Sequence, residues 1–169
     1  MRVIIETKRL VIKQRSHQDI GDLLAIYQSS ENMKFVPNAR LNWTKKELWE
    51  KYTRINQKYK LGIGIYILLR KEDRSVMGET GLYNSFDNLK HLELGYILDR
   101  KYWNKGYGTE ICKALIKYAF AKLKVEKLTA RMIKDNVASK RVSKKCRMTF
   151  LKEGISENAY PYLEYEIRK

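Results

Sequence analysis

Residues 93–110 read ELGYILDRKYWNKGYGTE, and this stretch decides which fold we expect. Residues 93–98 are typical of a strand, whereas the apolar spacing that follows Thr109 is helical. The loop between the two elements carries two closely spaced glycines, Gly106 and Gly108. Free backbone N–H groups at the start of a helix, together with the helix dipole, attract an anion. The stretch therefore predicts a strand, a loop and a helix with an anion site where the loop meets the helix.

The loop suits a phosphate group but lacks the common nucleotide motifs. Glycine at both positions lets the backbone approach a phosphate without a Cβ in the way, and Lys101 and Lys105 add positive charge. The fingerprint GxGxxG is absent because Glu110 and Ile111 follow Gly108, and no GK[ST] tripeptide occurs. The sequence therefore disfavours both of these nucleotide folds.

Elsewhere the apolar spacing predicts strands interleaved with helices. We expect strands at 10–12, 63–69, 76–82, 91–98, 128–133 and 162–168, of which the run at 10–12 is the first. We expect helices after Ser16, after the capping box Thr44–Glu47, from Thr109 and over 138–146. This mixture predicts an α/β or α+β fold in which helices pack on a mixed sheet, rather than a helical bundle.

Length and composition limit the class of protein. The chain has 169 residues, of which 44% are hydrophobic and 32% charged, so we expect one domain over residues 1–169 with a core of its own. No apolar run reaches the roughly 18 residues of a membrane span, and charge interrupts any signal-peptide core at the N-terminus. The spacing of Cys112 and Cys146 indicates neither a disulfide framework nor a zinc site. These features predict a soluble, cytoplasmic protein with no metal and no membrane partner.

The positive charge is concentrated in one third of the chain. The 35 Lys and Arg residues against 19 Asp and Glu give a net charge of +16. Residues 100–152 hold 16 basic and 3 acidic side chains, against 17 and 12 in residues 1–99 and 2 and 4 in residues 153–169. Such a field attracts a polyanion or a polyphosphate ligand. The alternative to a bound anion is a lysine-rich proteome, in which Lys simply fills solvated positions. This alternative explains the total positive charge better than it explains the concentration of charge in residues 100–152.

Three motifs occur in order along the chain: ETKRL at 6–10 fits E-T-x-R-L, WNKGYG at 103–108 fits Q/R/W-x-x-G-x-G/A, and NVASKRVSKK at 136–145 fits N-x-x-S-x-x-V-x-x-K. With these motifs the chain resembles the GNAT-superfamily N-acetyltransferases, in the branch similar to the RimJ/RimL ribosomal-protein N-terminal acetyltransferases. The resemblance implies a central mixed, mostly antiparallel twisted sheet that is splayed at the acetyl-CoA site, with helices on both faces.

The resemblance also implies acetyl-CoA as cosubstrate and assigns its contacts. In this family the strand before the loop leaves backbone groups free for the pantetheine arm, and the loop cradles the pyrophosphate. Asn136 resembles an asparagine that contacts the pantetheine, although it also suits a helix cap. The cofactor-binding residues expected on this basis are Tyr96, Ile97, Leu98, Trp103, Asn104, Lys105, Gly106, Tyr107, Gly108, Thr109, Asn136 and Lys145.

Acetylation of an amine needs a base, and the thiolate that leaves can use an acid. Glu93 lies on the strand where several family members place a glutamate, and it suits a base acting directly or through water; a solvent-facing strand glutamate is the alternative. Many family members use a tyrosine acid at the position of Ser143. Either Ser139 takes over that role, or the thiolate, with a pKa of about 8.5, needs little help. The other candidates for the base are Glu79, His91 and Tyr165.

The segment after Asn136 is basic and departs from the family pattern at its end. Lys140 and Lys144 are a like-charge pair one helical turn apart, which a bound 3′-phosphate of coenzyme A would neutralise; a solvated helix face is the alternative. The family has K-x-G-[FM] where this chain reads KCRM at 145–148. Arg147 in the left-handed backbone that glycine allows costs about 1 kcal/mol, so we expect a strained or altered helix exit.

Together these features predict an acetyl-CoA-dependent N-acetyltransferase that works by direct attack in a ternary complex. A charge of +16 favours an acceptor at a ribosome, through attraction to RNA, over a polyamine. We therefore expect a protein or peptide N-terminal α-amine, with a small-molecule amine as the alternative. Two other functions remain open. The chain could be a non-catalytic basic module that binds nucleic acid through residues 100–152, or a protein that binds acetyl-CoA only as a ligand. Monomer and homodimer both fit the sequence.

Overall fold

The computed structural model describes residues 2–169 and contains one eight-stranded sheet. The strands are β1 Val3–Glu6, β2 Leu10–Lys13, β3 Gly64–Arg70, β4 Val76–Asn88, β5 His91–Leu98, β6 Lys127–Ile133, β7 Thr149–Ile155 and β8 Pro161–Arg168. The helices are α1 Ile20–Gln28, α2 Ser30–Met33, α3 Lys45–Ile55, α4 Tyr107–Ala121 and α5 Val137–Lys145. Short 3-10 turns cover His17–Asp19, Asn56–Leu61 and Arg100–Tyr102.

The sheet is mixed, open and mostly antiparallel, as the sequence predicted. Its strand order is β1-β2-β3-β4-β5-β6-β8-β7, and β5 with β6 is the parallel pair. The chain passes from β5 to β6 through α4, which is the crossover that a parallel pair requires. This crossover places the loop before α4 at the centre of the sheet.

Helices cover both faces of the sheet, which confirms the expected layers. On one face α4 packs its buried Ile111 and Leu115 against the sheet, and on the other α1 and α3 pack Leu23 and Leu48. The capping box predicted for α3 is present, since Thr44 accepts from the Glu47 N–H and Glu47 accepts from the Thr44 N–H. Among residues 2–169, no helix combines the length and the apolar character needed to cross a bilayer.

Three strands differ from those that the sequence predicts. The first strand is β1, not the run at 10–12, which is β2. The prediction omitted β7, an edge strand that is largely exposed and whose Phe150, Leu151 and Ile155 do not alternate with polar residues. The fourth strand continues beyond Leu82 to Asn88, where the side chains are mostly solvated. All three errors fall where burial on one face does not impose the alternating pattern.

Candidate functional site

The parallel strands β5 and β6 separate in the middle of the sheet. Their pairing covers three residues of each strand and ends at Glu93 and Thr129. Beyond this point β5 stays paired with β4 as far as Leu98, and β6 stays paired with β8 as far as Ile133. The two strands therefore diverge and leave a gap between them, next to the loop that leads into α4.

Backbone groups of two β5 residues face this gap. The Asp99 N–H donates to the Met77 carbonyl at 2.9 Å, so Ile97, two residues earlier, also directs its backbone groups toward β4. The N–H and C=O groups of Tyr96 and Leu98 point the other way, into the gap. Of the three strand residues expected to offer backbone groups to a ligand, these two are suitably oriented and Ile97 is not.

Trp103 closes one end of the gap. Its indole Nε1 donates to the Leu98 carbonyl oxygen at 2.8 Å, and its ring lies 6.4 Å from the ring of Phe35, centroid to centroid. This bond engages one of the carbonyls that face the gap. The backbone groups of Tyr96 and the N–H of Leu98 remain directed toward a ligand.

The start of α4 adds backbone donors to the same space. Gly106 is the N-cap, with a left-handed φ of 79°, and no side chain caps the helix there. The N–H groups of the first turn and the positive end of the helix dipole therefore face outward. A Cβ on Gly108 would lie 3.0 Å from the Tyr96 hydroxyl, so glycine lets that phenol pack beneath the helix.

The helix α5 presents its motif residues on one face. The side chain of Asn136 is the N-cap and accepts from the Ser139 N–H at 3.0 Å. The three-residue spacing then turns Ser139, Val142 and Lys145 toward the gap, where all of them line the cavity. The capping role of Asn136 and a contact with a ligand are thus compatible.

A cavity of about 350 Å³ connects these elements. Expected site residues outside its lining are Lys105 and Glu93. The expected residues that do line the cavity are Tyr96, Ile97, Leu98, Trp103, Asn104, Gly106, Tyr107, Gly108, Thr109, Asn136, Ser139 and Lys145. The lining also contains Arg141 but no carboxylate among the described residues, so the cavity suits an anionic ligand.

Part of the lining was not predicted: it comes from α2 and the residues after it. Asn32, Phe35 and Val36 line the cavity together with the residues of β5, α4 and α5. Asn32 is placed there by a long-range bond, because its Oδ1 accepts from the Arg100 N–H at 2.7 Å. No motif or periodicity in residues 30–36 signals this contact, which depends on the tertiary fold.

The side chains of Tyr96 and Ser139 contact each other in the cavity lining. Burial raises the pKa of Tyr96 to about 12, and a polar contact with the Ser139 side chain opposes that shift. The phenol is therefore protonated at neutral pH. The Ser139 hydroxyl lies beside this phenol in the cavity lining, and a serine hydroxyl can donate a hydrogen bond.

Glu93 lies at the point where the strands separate but outside the cavity. Its carboxylate accepts a hydrogen bond from Arg131 on β6, and only 16% of its side chain is exposed. The hydrogen bond to Glu93 in turn raises the pKa of Arg131. A base at this position reaches the cavity through water rather than by direct contact.

The three other candidates for the base are engaged in the structure. Glu79 is buried and accepts from the hydroxyls of Tyr27, at 2.7 Å, and Tyr52. His91 bonds the Thr129 hydroxyl at 2.7 Å, and burial together with nearby Lys127 lowers its pKa. The remaining candidate, Tyr165, lies in the core with 3% exposure.

Arg147 adopts the strained exit that the sequence predicted as one option. Its φ is 61°, in the left-handed region. The Met148 N–H bonds the Ser143 carbonyl and the Arg147 N–H bonds the Lys144 carbonyl, both at 3.0 Å. This is the Schellman arrangement in which glycine is usual at the left-handed position.

The family model described as "Acetyltransferase (GNAT) domain" matches residues 9–149. The chain belongs to the GNAT acetyltransferase family. It is 25% identical over 166 residues to the uncharacterized N-acetyltransferase YoaA of Bacillus subtilis, covering 94% of this chain and 92% of YoaA. Another B. subtilis relative, the uncharacterized N-acetyltransferase YnaD, is 27% identical over 166 residues, covering 93% of this chain and 88% of YnaD.

Solved GNAT structures share the whole fold. RimL, an alpha-N-acetyltransferase of a ribosomal protein solved in complex with coenzyme A, superimposes with a TM-score of 0.83 at 13% identity, covering 99% of this chain and 98% of RimL. The spermidine N-acetyltransferase of Vibrio cholerae, solved with CoA and spermine, superimposes with a TM-score of 0.82 at 12% identity and 96% coverage of both chains. These two likenesses concern the fold. The family model and the Bacillus relatives make this chain an N-acetyltransferase, an enzyme rather than a non-catalytic nucleic-acid module.

Proposed function

We propose that this GNAT enzyme acetylates the N-terminal α-amine of a protein or peptide by direct attack on acetyl-CoA in a ternary complex. The first turn of α4 and the loop before it hold the pyrophosphate, and the backbone of Tyr96 and Leu98 holds the pantetheine arm. Arg141 and Lys145 on α5 attract the 3′-phosphate end. Each of these groups lies along one continuous cavity, which supports a single extended ligand.

The net charge of the chain carries the choice of acceptor. Among the residues that the structure describes, the cavity lining offers no carboxylate to a polycation, and the chain as a whole carries +16. A polyamine has several positive charges and would be repelled by this surface, whereas a peptide N-terminus brings one amine. The same field attracts the enzyme to an RNA-rich particle such as a ribosome in the cytoplasm.

The geometry supports a short sequence of proton and acyl transfers. Glu93, through a water molecule, takes the proton of the acceptor ammonium, and the free amine attacks the thioester carbonyl carbon. The Leu98 N–H faces the gap and stabilises the oxyanion that forms. Collapse of the tetrahedral adduct breaks the C–S bond, and Ser139 donates its proton to the departing thiolate while it takes up, through water, the second proton that the nitrogen of the adduct loses. The products are the acetylated amine and coenzyme A.

A panel of acceptors tests this proposal. The enzyme is incubated with acetyl-CoA and one of three probes: peptides with a free N-terminus and methylated lysines, the same peptides with a formylated N-terminus, or spermidine. Thiol release gives the rate, and tandem mass spectrometry locates the acetyl group. We expect turnover of the free peptides only. Turnover of spermidine without turnover of any free peptide would replace the proposal with a small-molecule acceptor, for which the V. cholerae neighbour is the precedent.

A further inference from the structure

The motif ETKRL at 6–10 has no part in the chemistry proposed above, yet the structure places it directly against α4. The Thr7 hydroxyl and the Arg9 N–H both donate to Oε1 of Glu110, at 2.6 and 3.0 Å. The Arg9 Nε donates to Oε2 of the same carboxylate at 2.7 Å. One carboxylate in the first turn of α4 thus binds three donors from the turn between β1 and β2.

Arg9 also reaches the loop on the other side of Gly106. Its Nη1 donates to the Lys105 carbonyl oxygen at 3.0 Å, and its guanidinium lies 4.2 Å from the centre of the Tyr107 ring. A Cβ on Gly106 would point at Arg9, with Nη2 at 3.5 Å. Arg9 is not part of the cavity lining, so it supports the loop from behind rather than touching a ligand there.

Peptide geometry connects this support to the cavity. In a trans peptide, the carbonyl of one residue and the N–H of the next point in opposite directions. Because Arg9 holds the Lys105 carbonyl on the outer side of the loop, the Gly106 N–H of the same peptide is directed inward. Gly106 itself lines the cavity where the helix dipole is strongest.

We propose that Arg9 is a positioning residue for acetyl-CoA: by holding the Lys105 carbonyl and the Glu110 carboxylate, it fixes the Gly106 N–H toward the pyrophosphate. This inference rests on the proposed cofactor site. It assigns the E-T-x-R-L motif a function that composition and spacing did not supply. It also explains why the planar guanidinium is needed, since one side chain bonds a carboxylate and a carbonyl at once.

The test compares the Kd of acetyl-CoA among folded variants, measured by isothermal titration calorimetry below the melting temperature of each. Arg9→Gln removes the support. Arg40→Gln is the matched control, because Arg40 also pairs with a glutamate and covers an aromatic ring, at 2.6 Å from Glu47 and 4.6 Å from Trp43, with 42% exposure against 40% for Arg9. Arg9→Lys keeps the positive charge but lacks the planar guanidinium that bonds two acceptors at once. Gly108→Glu blocks the cofactor site, because a Cβ at this position faces Tyr96 and Val142 of the cavity lining.

We expect Arg9→Gln to raise the Kd about tenfold, as for the loss of a charge-assisted hydrogen bond, and Arg40→Gln to leave it unchanged. We expect the raised Kd to persist in about 0.5 M salt, where screening removes simple attraction between the Arg9 charge and the ligand. We also expect Arg9→Lys not to restore the wild-type Kd. Circular dichroism of the unliganded variants establishes that they are folded; if Arg9→Gln is not, Arg9→Lys carries the comparison.

The possible failures are distinguishable. If the wild type does not bind acetyl-CoA, or if Gly108→Glu binds it equally well, the proposed cofactor site is wrong. If the wild type binds, Gly108→Glu does not, and Arg9→Gln matches Arg40→Gln, the positioning role alone is overturned. Full recovery by Arg9→Lys would also overturn it, since attraction by a positive charge would then suffice.

Discussion

The guanidinium of Arg131 on β6, two residues beyond the last backbone pair of Glu93 with Thr129, donates to the carboxylate of Glu93 on β5. This bond joins the strands where the backbone pairing ends. It also places a carboxylate at the closed end of the gap while keeping it out of the cavity. The arrangement suits a proton acceptor that works through an ordered water.

Replacement of that carboxylate tests the base. We expect Glu93→Gln to lower kcat/KM at neutral pH about a hundredfold, the usual contribution of a positioned general base, while the Kd of acetyl-CoA stays the same. Glu153→Gln is the control, because Glu153 also pairs with a basic side chain, Lys134, but lies on the edge hairpin. Activity of Glu93→Gln within about threefold of wild type would exclude Glu93 as the base.

Ser139 on α5 is the proposed proton donor for the departing thiolate, and its substitution tests that role. We expect Ser139→Ala to lower kcat about tenfold without weakening acetyl-CoA binding, because only the departing thiolate loses its proton donor. Ser143→Ala is the control on the same helix, where Ser143 is buried outside the cavity lining. An unchanged kcat in Ser139→Ala would instead favour departure of the thiolate without an acid.

The contacts of Glu110 predict a pH dependence of stability. Burial alone would raise its pKa, but the hydrogen bonds from Thr7 and Arg9 lower the pKa below the ordinary value of a glutamate in the folded protein. The stabilisation from a depressed carboxyl pKa is present above the unfolded value and is lost as the pH falls through the folded value. The free energies of unfolding of wild type and Glu110→Gln should therefore differ at pH 7 and converge toward pH 3, by urea titration. A difference that is constant with pH would contradict these contacts.

The left-handed backbone of Arg147 predicts a stabilising substitution. We expect Arg147→Gly to raise the free energy of unfolding by about 1 kcal/mol, since glycine has no Cβ to clash in this conformation, and the melting temperature by about 2–4 °C. Arg147→Ala removes the same side chain but keeps the Cβ, so it should give no such gain. Equal stability of the two variants would show that the backbone is not strained.

Some of the fold and site followed from the sequence because single residues impose their local geometry. The glycines at 106 and 108 indicated the loop and the start of α4, because backbone freedom is visible in a sequence. The motif at 136–145, through its resemblance to the family, indicated Asn136, Ser139 and Lys145, which all line the cavity.

Other features depend on contacts between distant residues. The bond from Arg100 to Asn32 brings α2 to the cavity, and the register of β4 with β5 turns the Ile97 backbone away from the gap. Neither contact leaves a periodic signal. The edge strand β7 was missed for a related reason, since its exposed face lets apolar and polar residues occur in any order.

The most direct test is calorimetric titration of acetyl-CoA into the wild type and into Gly108→Glu, with a folded spectrum required of both. We expect the wild type to bind with a stoichiometry of about one per chain, and the affinity to fall at least about a hundredfold when the carboxylate of Gly108→Glu enters the cavity beside Tyr96 and Val142. Equal affinities, or no binding by the wild type, would contradict the assignment of the gap between β5 and β6 as the acetyl-CoA site.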